Sequence, residues 1–280
     1  MAGIDMSGPA MVAGLGPYSM TREASGTSWQ PDASRHEGVH LSSGKWAFML
    51  HATLNGVYDS QEGPRGASKG FASGMVMGVA KRAFDDGDVL QFRGMLSPDP
   101  LMGPSGYPLL LATGETADGK TPLVDRQRRH DLSMELSASY SHRLSDRDSV
   151  FVYGGLPGEP AFGPPAFMRR LSIMDSPEAP ISHHWLDSTH ITFGIVTAGV
   201  ILGNVKVEAS RYHGREPDQH RYDIEVGALE SRAVRLSWNP TRTLSLQGSW
   251  TRQISPEQLD PTQNETKYSA SAIYTFPVGQ

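Results

Sequence analysis

Residues 131–142 read DLSMELSASYSH, and their alternation decides the fold. Leu132, Met134, Leu136, Ala138 and Tyr140 fall at one parity; Ser133, Glu135, Ser137, Ser139 and Ser141 fall at the other. Successive side chains of a strand point to opposite faces, so a period of two argues a strand with one apolar and one polar face. The period recurs on both sides of this stretch. In KWAFMLHATLNGVY (45–58), Trp46, Phe48, Leu50, Ala52, Leu54 and Tyr58 share a face opposite His51, Thr53 and Asn55. LSLQGSWT (244–251) aligns Leu244, Leu246 and Trp250, and KYSASAIYTF (267–276) aligns Tyr268, Ala270, Ala272, Tyr274 and Phe276. About ten such segments follow residue 45, each bounded by Gly, Pro, Asn or Asp turns.

Composition agrees with an all-β chain. Its 280 residues include 30 Gly and 20 Pro, which suit many turns and disfavour long helices. Cysteine is absent, so no disulfide scaffold holds the fold. A net charge of −5 with scattered Lys and Arg leaves no basic stripe, which excludes nucleic acid as a partner. The most apolar stretch, 191–205, is broken by Gly194, Gly199 and Gly203 and is shorter than the ~20 residues of a spanning helix. The opening MAGIDMSGPAMVAGLG has no basic start followed by an apolar core, so no export signal is read there. That implies a leader already removed, or a sequence that begins inside its gene.

Alternation suits a soluble sandwich as well as a membrane barrel. The connections discriminate between them. Short joins at 85–88, 143–149, 203–204 and 239–243 alternate with long ones that carry most of the proline and charge. This rhythm predicts an antiparallel up-and-down transmembrane β-barrel with tight periplasmic turns and long external loops. Trp46, Tyr140, Trp238 and Tyr274 then lie toward the periplasmic rim of the apolar face and Tyr58 and Trp250 toward the other, as headgroup girdles require. Arg93, Glu135, Lys206, Glu208, Arg235, Gln247 and Lys267 fall on the polar face and are the expected lumen lining, with Arg93 in reach of Glu135. Residues 1–45, rich in Gly, Ser and Pro, read as a flexible periplasmic lead or lumen plug, and 46–280 as the barrel. Met1, Met6, Met11 and Met20 are scattered through that lead; thioethers bind Cu(I), but four spaced methionines form no motif. The final YTFPVGQ reads as a turn into a further strand, so the barrel is expected to be truncated before its closing strands.

ISHHWLDSTHITFG (181–194) holds the candidate metal ligands His183, His184, Asp187 and His190. In helical geometry His183, Asp187 and His190 share a face; in extended geometry His184 and His190 share parity. Two imidazoles and a carboxylate suit Zn²⁺ or Cu²⁺ with an open position. The competing reading has these residues hydrogen-bonding the loop into the barrel mouth, with Trp185 as its anchor. Ser182 or Ser188 beside His190 would be the pair of an outer-membrane hydrolase of the phospholipase kind, but no nucleophile elbow surrounds either, so the chain reads as a non-enzyme. PGEPAFGPPAF (157–167) reads as a rigid loop folded inward, its four prolines presetting the backbone. DRQRRHD (125–131) clusters opposite charges, suited to internal pairing or to an anionic solute.

LGPYSMTREASGTSWQPD (15–32), RGMLSPDPLMGPSGYPLLLATGETADGKTPLVDRQRRHD (93–131), VYGGLPGEPAFGPPAFMRR (152–170), SPEAPISHHWLDSTHITFGIVTAG (176–199) and GREPDQHRYDIE (214–225) together resemble a family of uncharacterised outer-membrane proteins of Gram-negative bacteria. Its members are often encoded beside copper or other heavy-metal efflux systems. The resemblance runs from about Gly16 to the end. It implies the bacterial outer membrane as location and metal stress as setting, and carries no established activity. Family members show a His-Pro-His run where Arg128 and Arg129 precede His130, His in place of Arg169, and a lead richer in His, departures that remove candidate ligands. The expectation is a non-enzymatic outer-membrane barrel for passage or binding of small solutes or metal ions in heavy-metal (copper) stress, in contact with outer-membrane lipid. It has no fixed cofactor beyond a candidate Cu or Zn. The alternatives are an outer-membrane hydrolase and a soluble all-β binding protein.

Overall fold

The computed structural model describes residues 13–35, 38–186 and 190–276. Its strands are β1 (Val39–Ser43), β2 (Trp46–Ser60), β3 (Ser68–Ala83), β4 (Val89–Leu96), β5 (Tyr107–Thr116), β6 (Pro122–Gln127), β7 (Ser133–Arg143), β8 (Asp148–Gly155), β9 (Ile195–Leu202), β10 (Val205–Tyr212), β11 (Ser231–Thr241), β12 (Leu244–Ile254) and β13 (Asn264–Tyr274). Eleven of them form one sheet in the order β1-β2-β3-β4-β7-β8-β9-β10-β11-β12-β13, antiparallel throughout, and β5-β6 pair separately. The ten segments expected after residue 45 are all present. Two additions were not expected. The sheet starts at Val39 rather than Trp46, because Gly44-Lys45 turns the end of the lead back onto β2 and pairs Ser43 with Trp46. The β5-β6 hairpin lies within the connection from β4 to β7.

On most strands the alternation leaves a run of apolar side chains on the face that remains exposed. The opposite face buries the polar ones together with a second apolar set, such as Phe71, Met75, Met77 and Val79 of β3. Leu54 is 75% exposed, Tyr268 80% and Trp238 48%, while Lys206 and Arg235 on the opposite face are 0% and 1% exposed. A water-soluble sheet has the reverse arrangement. One strand departs from its pattern. Met134 was expected beside Leu132 and Leu136, yet it is buried at 1%. The ladder between β4 and β7 shifts register there, Met95 opposing Glu135 and Leu96 opposing Ser133, so Met134 is the extra residue of a bulge and turns inward.

The inward face is filled. Arg93 on β4 donates to the carbonyl of Gly26 (2.7 Å), and Arg235 on β11 donates to the hydroxyl of Thr27 (2.9 Å). Five strand spacings separate β4 from β11, ~24 Å in a flat sheet. Two arginines reaching adjacent residues across that span require a sheet that curls around residues 13–35. Further bonds hold this segment: Lys81 to Glu23 (2.8 Å), Asn239 to the Gln30 carbonyl (2.8 Å), and Lys206 to the Thr27 carbonyl. Its own turn is closed by Arg22, which pairs with Asp32 at 2.6 Å between the rings of Tyr18 and Trp29. The proline-rich loop also folds inward, with Ala161 N–H on Ser210 and Arg235 on the Gly163 carbonyl. Among the described residues no ladder joins β13 to β1 or β2, so the sheet is open between those edges.

Candidate metal centre

The long connections 97–132, 156–194 and 213–230 meet at one end of the sheet. At β3, Gly74 adopts φ +147, and a Cβ there would lie 2.1 Å from the Thr53 carbonyl, so only glycine fits. Its carbonyl accepts from the Ser97 hydroxyl, and its N–H lies 3.4 Å from the Asp99 carboxylate. Asp99, in a single 3₁₀ turn after β4, accepts from Nδ1 of His130 at 2.8 Å. Burial alone would raise the Asp99 carboxyl, but its hydrogen bonds with His130 and Ser97 hold it below the usual carboxylate range. His130 is thereby fixed with Nε2 directed elsewhere; that nitrogen is buried and takes no hydrogen bond among the described residues.

Two further imidazoles face it. His183 opens the one-turn helix α1 (His183–Leu186) and is 4% exposed; His190 follows that turn. The ring centroids lie 4.7 Å apart for His183 and His190, 5.5 Å for His130 and His190, and 6.2 Å for His130 and His183. One ligand nitrogen from each lies within 4.8 Å of the other two. Metal–nitrogen bonds of about 2.0–2.1 Å place tetrahedral ligands about 3.3 Å apart, so the rings draw together by up to about 1.5 Å on binding. Three neutral imidazoles and an open fourth position suit Zn²⁺ or Cu²⁺, and Asp99 on the far nitrogen of His130 is the carboxylate–histidine–metal arrangement that orients a ligand. Phe167 packs edge-on against His183 at 5.2 Å.

Charged groups surround these rings in balance. Arg128 sits 3.3 Å from Glu115 and 3.5 Å from Glu216, and Arg221 pairs with Asp131 at 2.7 Å. Burial pushes the Glu216 carboxyl up to about 7, against the pull of Arg128. Burial also raises Asp131 and lowers Arg221. Three of the charges of 125–131 are paired internally: Asp125 with Arg65 and Asp131 with Arg221 from other connections, and Arg128 with Glu216 from another connection and Glu115 from its own.

Of the expected ligands, His183 and His190 come together, while Asp187 and the side chain of His184 lie outside the described residues, as does Ser188. The third imidazole is His130, which sequence spacing did not select because it belongs to a different connection. The expected lining residues all fall on the inward face. Arg93 and Glu135 approach to 3.7 Å, Glu208 bridges Lys206 and Arg235 at 2.9 Å each, Gln247 donates to Ser269 on β13, and Lys267 lies over the Trp185 ring at 5.8 Å. Met20 borders an interior cavity; Met1, Met6 and Met11 lie outside the described residues. A scan against protein-family models found no match, and searches of curated proteins and of solved structures found none either.

Proposed function

We propose that this chain forms the wall and filling of an outer-membrane β-barrel that binds a divalent transition-metal ion, Zn²⁺ or Cu²⁺, at His130, His183 and His190. The observation that carries the location is the inverted sheet, apolar outside and ionic inside. An exposed face of this kind is an aggregation surface in water and the ordinary exterior of a protein in hydrocarbon. Strands β2, β3, β7, β11, β12 and β13, of 11 to 16 residues, are long enough for a tilted crossing, and the eight-residue strands come close to it. Arg211, Arg232 and Arg252 stand opposite one another on β10, β11 and β12, on the outer face at the long-loop end, the level of lipid phosphates. The interior is occupied by residues 13–35 and the proline-rich loop, which favours binding over free passage. The resemblance to outer-membrane proteins encoded beside heavy-metal efflux systems agrees with a metal-stress setting.

Three measurements test the reading. The protein folded in detergent should migrate differently on gels before and after boiling, and should stay insoluble without detergent; solubility as a monomer in plain buffer overturns the location. Calorimetric titration should give one Zn²⁺ per chain, lost when His130, His183 and His190 are all replaced by alanine. Equal binding by that variant overturns the metal site. Planar bilayers should show no steady conductance.

A further inference from the structure

Beneath the three histidines lies a second cavity of about 50 Å³, and its lining is chemically different. Met75 from β3, Met134 from β7, and Met168 and Met174 from the connection 156–194 converge on it, with His130 as the wall shared with the histidine cluster. These thioethers come from three separate parts of the chain. Met134 reaches the cavity only because of the bulge opposite Met95 and Leu96, which reverses the parity of that one residue. The chain has 12 methionines and none after Met174. Five of them, Met49, Met75, Met77, Met95 and Met134, form a buried cluster with Met168 packed against it.

We propose that this cavity is a site for one soft monovalent cation, Cu(I) or Ag(I). Thioethers are soft, uncharged ligands that select Cu(I) over hard or divalent ions. Charge agrees with that choice. Among the described residues Asp99 is the only acid on the wall and no Lys or Arg lines it, so a single positive charge is matched. The neighbouring histidine cavity is lined by three arginines and three acids, already in balance. Positive charge already sits beside sulfurs of the same cluster, where the Arg169 guanidinium lies against Met77 and Met95. The site uses different donor atoms from the Zn²⁺ site and stands or falls separately from it.

The test is titration of the detergent-folded protein with Ag⁺, which is redox-inert, beside a parallel titration with Zn²⁺. Leucine conserves methionine's volume and removes its sulfur. The wild type should bind one Ag⁺ that a Met134→Leu/Met168→Leu variant binds at least about a hundredfold more weakly, tenfold per thioether. Zn²⁺ binding should be unchanged in that variant, which also certifies its fold. Unchanged Ag⁺ affinity in the variant, or no Ag⁺ bound by the wild type, overturns the proposal. If the double variant does not fold, X-ray absorption on the Cu(I)-loaded wild type decides. The chain has no cysteine, so a sulfur shell can come only from methionine, and a shell of nitrogen and oxygen alone overturns the site.

Discussion

The two halves of the curled sheet fill their shared interior differently. Behind β10 and β11, Lys206, Glu208 and Arg235 form a fully buried triad locked onto Thr27 of the inner segment. Behind β2, β3, β4 and β7 the ion pairs Lys81–Glu23 and Arg93–Glu135 share the space with a methionine cluster, and cavities of about 80, 50 and 10 Å³ remain between the side chains. Ion pairs are directional and intolerant of partial loss; thioethers are flexible and nearly shape-neutral. Both halves hold the inner segment, through Lys81 and Arg93 on one side and Lys206 and Arg235 on the other, but only the methionine-rich half leaves room for a small guest.

The largest expected effect breaks the ionic half. Glu208→Gln leaves two buried cations with no carboxylate between them and should lower stability by about 3–5 kcal/mol, read from urea unfolding in micelles. Replacing Lys206, Glu208 and Arg235 together by Met, Leu and Met should cost far less, because no unpaired charge remains. A loss under about 1 kcal/mol for the single variant would place the restraint on the inner segment elsewhere. Next comes the junction between the halves and the metal centre: Asp99→Asn should weaken Zn²⁺ binding about 10–100-fold by calorimetry with all three imidazoles retained. Identical affinity would mean that His130 is oriented by its packing alone.

The soft half should respond less. Met134→Leu is expected to change stability by less than about 1.5 kcal/mol, and a larger loss would show that the bulge depends on the sulfur itself. The smallest effect is at the rim of that half, in the turn between β3 and β4. The Tyr140 hydroxyl, with His142 and the Arg143 N–H, holds the Asp88 carboxyl down at about 2 despite its burial. A folded value below the unfolded ~3.9 stabilises the protein above that pH and is lost as pH falls through about 2. Asp88→Asn should therefore melt below wild type at pH 7, and the gap should close between about pH 4 and pH 2. A gap that persists at pH 2 would assign the effect to geometry instead of charge.

The wall was legible because period two is written locally: Leu50, Leu54, Val234, Leu236 and Tyr268 lie where parity sends them. Met134 was not, since a bulge is a property of two paired strands, and nothing within 131–142 records the register of Met95 and Leu96. The short strand Val39–Ser43 was missed because five residues without a strong apolar run look like the Gly- and Ser-rich lead around them. His183 and His190 could be nominated together from one segment. His130 could not, because its place depends on the meeting of two loops that share no sequence pattern. Its partner sits in the Ser-Pro-Asp-Pro turn that follows β4, a single acid between prolines whose role appears only when Asp99 is seen on the imidazole.

The buried course of residues 13–35 also constrains the order of assembly. These are early residues, yet the groups that grip them belong to strands made at both ends of the chain, Lys81 and Arg93 first, Arg235 and Asn239 much later. Such long sequence separations make folding slow, because nothing rewards the loop closures until the last strands arrive. The segment acts as a mandrel on which the wall is wound, so its full set of contacts forms only once the late strands are in place.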